Sequence, residues 1–177
     1  MTTQVPVVGT RGRHLVVEYH GCKSTHLDDQ AFIRELLCEA AEAAGATVLA
    51  VHVHGFEPQG VAGVAVLAES HLSIHTWPEV GYVAADLYTC GDCVPQRAHD
   101  VLVAALQAQR CEVMELARGV PGGERSLGLV RLHTENLEPP RVFSRPVAVS
   151  EVASADQPEA ADARADEAAS SASRSRS

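Results

Sequence analysis

The run Gly63-Val64-Ala65-Val66-Leu67-Ala68 leads directly into Glu69-Ser70-His71-Leu72-Ser73-Ile74-His75-Thr76-Trp77, and Pro78-Glu79-Val80-Gly81 then turns the chain. An apolar, valine-rich run this short reads as a strand buried on both faces. The stretch that continues it, through Glu79, carries two serines, two histidines, two carboxylates and the only tryptophan. A polar group inside a sheet costs about 1–3 kcal/mol if it is left unpaired. A strand that only filled a core would not collect so many, so the pattern predicts a strand that carries a site.

The neighbouring segments supply the rest of a fold. His14 to His20 alternates as a strand, and Gly21-Cys22-Lys23-Ser24 is a turn. Thr25 and Asp28 then predict a capping-box start to a helix with Phe32, Ile33, Leu36, Leu37, Ala40 and Ala41 on one side, closed by Gly45. Thr47 to His54 is a second strand, in which Val51 and Val53 alternate with His52 and His54. A Gly- and Pro-containing loop spans residues 55–60. After the central stretch, Tyr82 to Thr89 is a strand, a helix opens at Pro95, and Cys111 to Leu116 closes the pattern. The order strand, helix, three strands, helix, strand predicts an α+β two-layer sandwich, a mostly antiparallel sheet with two helices on one face. Residues 1–120 form this domain. Residues 121–145 read as an irregular extension in which Leu127-Gly128-Leu129-Val130 can pair as a short strand. Residues 146–177 read as a disordered acidic Ala/Ser-rich tail with almost nothing to bury.

Composition excludes several classes of function. A net charge of −9 argues against nucleic-acid binding. No apolar run approaches the roughly 20 residues that span a bilayer, and the first residues lack a secretory pattern. Five scattered cysteines are not a disulfide framework and read as reduced thiols, so the expected location is the cytoplasm.

Three chemistries compete for the polar residues. Cys90-Gly91-Asp92-Cys93 offers half a zinc site or a redox dithiol, but it lacks a second ligand pair and a parallel βαβ setting, so no metal is expected. His52 and His54 share a strand face, as do His71, Ser73 and His75. Such histidines are more often hydrogen-bonded sheet residues than ligands. Ser70 or Ser73 with His75 and Asp86 supplies the residue types of a serine hydrolase, without its G-x-S-x-G elbow.

The segment from Glu69 to Glu79 with Gly81-Tyr82 and Asp86-Leu87-Tyr88-Thr89-Cys90-Gly91 closely resembles the prokaryotic, pyruvoyl-dependent S-adenosylmethionine decarboxylase proenzymes. Gly12-Arg13-His14-Leu15, Gly21-Cys22, Gly45-Ala46-Thr47, His54-x-Phe56-x-Pro58-Gln59-Gly60-Val61 and Glu115-x-x-Arg118-Gly119 match in order, so the resemblance covers about residues 11–120.

The resemblance implies self-cleavage between Glu69 and Ser70. The Ser70 hydroxyl attacks the preceding carbonyl, and the N→O acyl shift gives an ester. β-Elimination splits the chain, and hydrolysis leaves a pyruvoyl cofactor derived from Ser70. Residues 1–69 become a β chain and residues 70–177 an α chain. The pyruvoyl carbonyl forms a Schiff base with the substrate amine and serves as electron sink, as a pyridoxal cofactor would. By the same resemblance His75 is the proton acceptor in processing and Cys90 the proton donor in decarboxylation. Glu79 binds ribose hydroxyls, Phe56 stacks on adenine, and Trp77 lines the same pocket. The product supplies aminopropyl groups for spermidine synthesis. The resemblance further implies a homodimer of αβ units with shared sites.

Two features depart from the expected pattern. Strand alternation places His75 with His71 and Ser73, opposite Ser70, so an encounter needs a bend at the scissile bond or help from a neighbouring strand. The family's usual serine, which assists processing, is Ala62 here, and the loop carries an additional carboxylate at Glu57. These keep two alternatives open: a pyruvoyl-dependent arginine or ornithine decarboxylase, whose cationic substrate Glu57 could pair, and a non-processing regulatory homologue.

Overall fold

The computed structural model describes residues 10–119 and 127–137. The elements are β1 (Gly12–His20), α1 (Gln30–Ala43), β2 (Val48–Gly55), β3 (Val61–Leu67), β4 (Ser70–Trp77), a 3-10 turn (Pro78–Val80), β5 (Tyr82–Cys90), α2 (Pro95–Leu106), β6 (Arg110–Arg118) and β7 (Leu127–Asn136). The strands form one sheet in the order β2-β3-β4-β5-β1-β6-β7, and every pairing is antiparallel. Helix α1 lies over β2, β3 and β4, α2 lies over β1 and β5, and the helices touch each other. This is the α+β two-layer arrangement that the sequence predicts.

Period-2 patterning decides which side chains enter the core. Leu15, Val17 and Tyr19 of β1, Leu72 and Ile74 of β4, and Val83 and Leu87 of β5 face the helices and are fully buried. They meet Ile33 and Leu37 of α1 and Leu102 and Leu106 of α2. The opposite face has no covering layer among the described residues. It carries His14 and Val16 on β1, Ala62 and Val64 on β3, His71, Ser73, His75 and Trp77 on β4, and Asp86 and Tyr88 on β5.

Several local expectations change. Residues 25–28 form a turn, and Asp29 caps α1 by accepting from the Ala31 and Phe32 amides at 2.9 and 3.1 Å. Asp28 is committed elsewhere, since its Oδ1 accepts from the Gly60 amide at 2.7 Å and anchors the 55–60 loop. The predicted Gly45 stop holds: Gly45 has φ +79°, and the Gly45 and Ala46 amides donate back to the Glu42 and Ala41 carbonyls. The apolar run of β3 is buried on one face only, for Val66 is 41% exposed on the other. Nor does β4 prolong β3. The chain reverses at Ala68-Glu69, so that Leu67 pairs with Ser70 in a hairpin. The region expected as an irregular extension contains the ten-residue strand β7, paired along β6. The predicted tail, 146–177, lies outside the described residues.

Removing the Asp29 cap leaves the amides of the first turn of α1 without a side-chain acceptor. Asp29→Ala should lower folding stability by about 1 kcal/mol, read as a lower urea midpoint at unchanged slope.

Candidate functional site

The hairpin between β3 and β4 places the Glu69–Ser70 peptide bond at the end of the sheet, where it is held from three directions. The Glu69 carboxylate accepts from the Thr47 amide at 2.9 Å and the Thr47 hydroxyl at 3.3 Å. The Glu69 carbonyl oxygen accepts from the Cys90 amide at 3.1 Å and from the Cys90 thiol at 2.8 Å. Ser70 has φ +154°, a backbone conformation that costs a non-glycine residue about 1–3 kcal/mol. Its Oγ lies 3.3 Å from His71 Nδ1.

Around His71 lies a polar cluster on the open face. His14 Nε2 is 3.1 Å from Asp86 Oδ1, and Ser73 Oγ donates to Asp86 Oδ2 at 3.0 Å. Arg118 Nη1 approaches His14 Nδ1 at 3.4 Å. Arginine can only donate, so His14 Nδ1 accepts and its Nε2–H donates to Asp86. The Arg118 guanidinium also sits 4.2 Å from the Tyr88 ring centroid, with His71 edge-on to the same ring. Burial lowers the His71 pKa, and the neighbouring His14 and Arg118 lower it further against the opposing pull of Asp86. A neutral His71 therefore has a lone pair to offer the Ser70 hydroxyl.

His75 is elsewhere. It lies five residues beyond Ser70 on β4, roughly 16 Å away at about 3.3 Å per residue. The bend at the scissile bond exists, yet it does not bring the two together. His75 instead lines a shallow concavity of about 300 Å³ with His52, His54, Ala62, Val64 and Ser73. The other predicted binding residues share this far end. Trp77 packs 5.0 Å from the Tyr82 ring and 6.2 Å from His75. Glu79 accepts from Gln59 Nε2 at 3.1 Å, and Phe56 meets His54 edge-on at 5.0 Å. Glu57 is exposed. Ala62, where a serine was expected, pairs directly with His75 across β3 and β4.

One chain thus holds two half-clusters at opposite ends of one sheet face. Glu69, Ser70, His71 and Cys90 form one, and His75, Trp77, Glu79 and Phe56 the other. The geometry also removes the hydrolase alternative. Ser73 donates straight to Asp86 with no imidazole between them, and His75 contacts neither Asp86 nor Ser70. The cluster of His14, Asp86, Tyr88 and Arg118 was not singled out in the sequence. The segments holding all four had been noted as matches, and the antiparallel register of β1 with β5 and β6 brings His14 opposite Tyr88 and Leu116.

Hydrogen bonds from His14 and Ser73, opposed by partial burial, hold the Asp86 pKa below its ordinary value. A depressed carboxylate stabilises the fold above its unfolded pKa, near 4, and that contribution is lost as pH falls through the folded value. Asp86→Asn should therefore lose stability at pH 7 and show a shallower decline between pH 4 and pH 2, as followed by thermal melts across that range.

Comparison with known proteins bears on the family and the fold. A family model described as S-adenosylmethionine decarboxylase matches residues 13–119. The S-adenosylmethionine decarboxylase proenzyme of Methanococcus maripaludis is 49% identical over 110 residues, covering 62% of this chain and 90% of that protein. The proenzyme of the same name from Parasynechococcus marenigrum is 50% identical over 111 residues, covering 62% and 87%. The crystal structure of the adenosylmethionine decarboxylase from Aquifex aeolicus superposes with a TM-score of 0.59 at 37% identity, covering 66% of this chain and 97% of that one. With the matched segment spanning six of the seven strands, both helices and the Glu69–Ser70 hairpin, this chain belongs to the S-adenosylmethionine decarboxylase family.

Proposed function

We propose that this chain is a proenzyme that cuts itself between Glu69 and Ser70 and then decarboxylates S-adenosylmethionine, supplying the aminopropyl donor of spermidine synthesis. The observation that carries the reading is the double hydrogen bond from Cys90 to the Glu69 carbonyl. Attack by the Ser70 Oγ on that carbonyl carbon moves negative charge onto its oxygen. Two donors at 3.1 and 2.8 Å already point at that oxygen and need no reorganisation as the charge develops. A donor of this kind contributes on the order of 10²–10³ in rate. The Ser70 proton must leave as the oxygen attacks, and the Nδ1 of neutral His71 is the imidazole atom within reach in the same chain. Opening of the tetrahedral adduct breaks the Glu69–Ser70 amide and leaves an ester. Loss of the α-hydrogen of residue 70, taken up by His75 of a second copy in the shared site described below, then expels Glu69 as a carboxylate.

A pyruvoyl group formed from residue 70 fits the surroundings, because the Cys90 thiol stands beside that residue with its hydrogen on a main-chain oxygen. When present, the group supplies an electron sink for the carbanion left by decarboxylation. The Cys90 thiol is then positioned to return a proton to carbon. The relatives named above all carry the name S-adenosylmethionine decarboxylase, which favours that substrate over arginine or ornithine. The exposure of Glu57 supports its reading as a solvated loop charge rather than a clamp for a guanidinium. All five cysteines are free, which supports a reducing, cytoplasmic setting.

The assembly we propose is a homodimer in which two copies share their sites. The split between the Ser70 and His75 ends supports it, as does the sheet face left uncovered by the helices. Packing two open faces about a two-fold axis that lies in the interface and runs across the strands exchanges the two ends. His75, Trp77 and Glu79 of one copy then come over Ser70 and Cys90 of the other.

Intact mass of the purified protein should show two chains divided before residue 70, the larger with a blocked N-terminus. A single chain stable for days would contradict the reading. Ser70→Ala should remain uncut. Cys90→Ala should still cut, up to ~10²-fold more slowly because one of two donors remains, and should lose turnover. Ala62→Ser, which returns a hydroxyl beside His75, should speed cutting in a time course. Carbon dioxide release should be at least 100-fold faster from S-adenosylmethionine than from arginine or ornithine, and the opposite order would reassign the substrate.

A further inference from the structure

Strand β7 lies beyond the segment that the family model matches, residues 13–119. It adds an edge strand whose open-face side chains are apolar and unshielded: Leu127, Leu129 and Leu132 are 58, 62 and 62% exposed. They adjoin Leu116 and Met114 of β6, which stand on the same face. An apolar strip of this kind on a sheet edge marks a contact surface.

The strand registers identify what covers it. Ser73 pairs with Asp86, Asp86 with Val16, Val16 with Met114, and Met114 with Leu132. In the other direction Ser73 pairs with Val64, and Val64 with His52. One row therefore crosses all seven strands, and it cuts β4 close to midway between Ser70 and His75. A two-fold operation that exchanges the Ser70 end with the His75 end must have its axis along this row. Such an axis stacks each strand on its own copy rather than on a different strand. Its β7 end passes Val16, Met114 and Leu132, so Leu132 meets Leu132 of the second copy, while Leu129, one same-face step away, comes over Thr134 of the second copy. The contact is isologous, as a closed two-fold dimer requires. Seven strands spaced about 4.8 Å apart and roughly 8 residues long give a face on the order of 900 Å². Each partner of a stable complex contributes about 800 Å².

We propose that β7, which lies beyond the matched family segment, is a dimerisation strand, with Leu132 buried against Leu132 and Leu129 against Thr134 of a second copy's β7. The proposal rests on the shared-site reading above and adds to it a contact outside the matched family segment. It also accounts for Leu127, Leu129 and Leu132, which the core of one chain does not use.

The test compares the full-length chain with two double variants, Leu129→Asp with Leu132→Asp, and Leu129→Lys with Leu132→Lys. Sedimentation velocity over a concentration series reads association, and intact mass reads cutting. Both pairs of positions are largely exposed in one chain, and circular dichroism checks that the fold is retained. Each variant alone should dimerise at least 10-fold more weakly than the parent and cut more slowly at low concentration. Co-expression of the Asp and Lys forms, carrying different tags, should restore a mixed dimer, because the like charges at position 132, which meet at the axis, become opposite. If the parent dimerises and both variants dimerise equally well, the proposal fails while the shared-site reading stands. Normal dimers with a newly protease-sensitive segment after residue 137 would mean that the chain's own C-terminal segment covers the strip, which also overturns it. A parent that is monomeric at micromolar concentration and still cuts would remove both readings together.

Discussion

The two hydrogen bonds from Cys90 to the Glu69 carbonyl connect the fold to the proposed chemistry. Cys90 is the last residue of β5, and Glu69 is the second residue of the hairpin leading into β4. The bonds therefore exist only if β4 and β5 pair in the observed register, with Ser70 opposite Thr89. A slip of one residue would move every β4 side chain to the other face and carry the carbonyl away from the thiol. The buried alternation of Leu72, Ile74 and Thr76 resists that slip, because it would drive His71, Ser73 and His75 into the core. Thr76 adds a pin of its own, donating to the Leu27 carbonyl at 2.7 Å and accepting from the Val61 amide at 2.8 Å. Core packing and the placement of the reactive carbonyl are thus one constraint.

The same alternation explains why the site is divided. Helices cover one side of the sheet, so groups that must remain reactive occupy the other. There the five residues separating Ser70 from His75 cannot be shortened, because a strand is already extended. A helix could have placed residues at this spacing one and a half turns apart, on differing faces of a short cylinder. A strand keeps His75 on the open face, and at Ser70, where the chain leaves the hairpin with φ +154°, the hydroxyl reaches His71 of that face at 3.3 Å. On the proposed reading, the distance that keeps the imidazole from the hydroxyl within a chain is the distance that a two-fold axis removes.

Much of this was legible in the sequence, for identifiable reasons. Both helices and five strand segments follow from periodicity, with β3 and β4 read as one continuous strand because no Gly or Pro marks the reversal at Ala68-Glu69. Gly45 ends α1 because only a residue tolerant of positive φ closes that turn, and Pro95 begins α2 where no amide is needed. The α1 cap was placed four residues early, at Thr25, because Thr25-x-x-Asp28 has capping-box spacing, whereas residues 25–28 form a turn and Asp28 turns to the distant Gly60 amide. β3 looked buried on both sides because its uncovered face is as apolar as its covered one, a pattern that reports a partner surface as readily as a core. β7 was read only as a short strand over residues 127–130 within an irregular extension, because its remaining residues, 131–136, are mostly polar and its Leu residues have no core to enter within the chain. Ser70, Glu69 and Cys90 were found through motif and resemblance. The cluster of His14, Asp86 and Arg118 was not, because it forms only through strand register between segments 72 to 104 residues apart.

The central claim is that Ser70 of one copy works with His75 of another, and complementation tests it most directly. Ser70→Ala and His75→Ala chains, distinguishable by mass, would be co-expressed and the products weighed. In the mixed dimer one of the two sites contains both Ser70 and His75, contributed by different chains. The account predicts that the His75→Ala chain is cut before residue 70 when the Ser70→Ala chain is present and is uncut, or cut far more slowly, when expressed alone. Equal cutting of the His75→Ala chain with and without its companion would contradict a shared site.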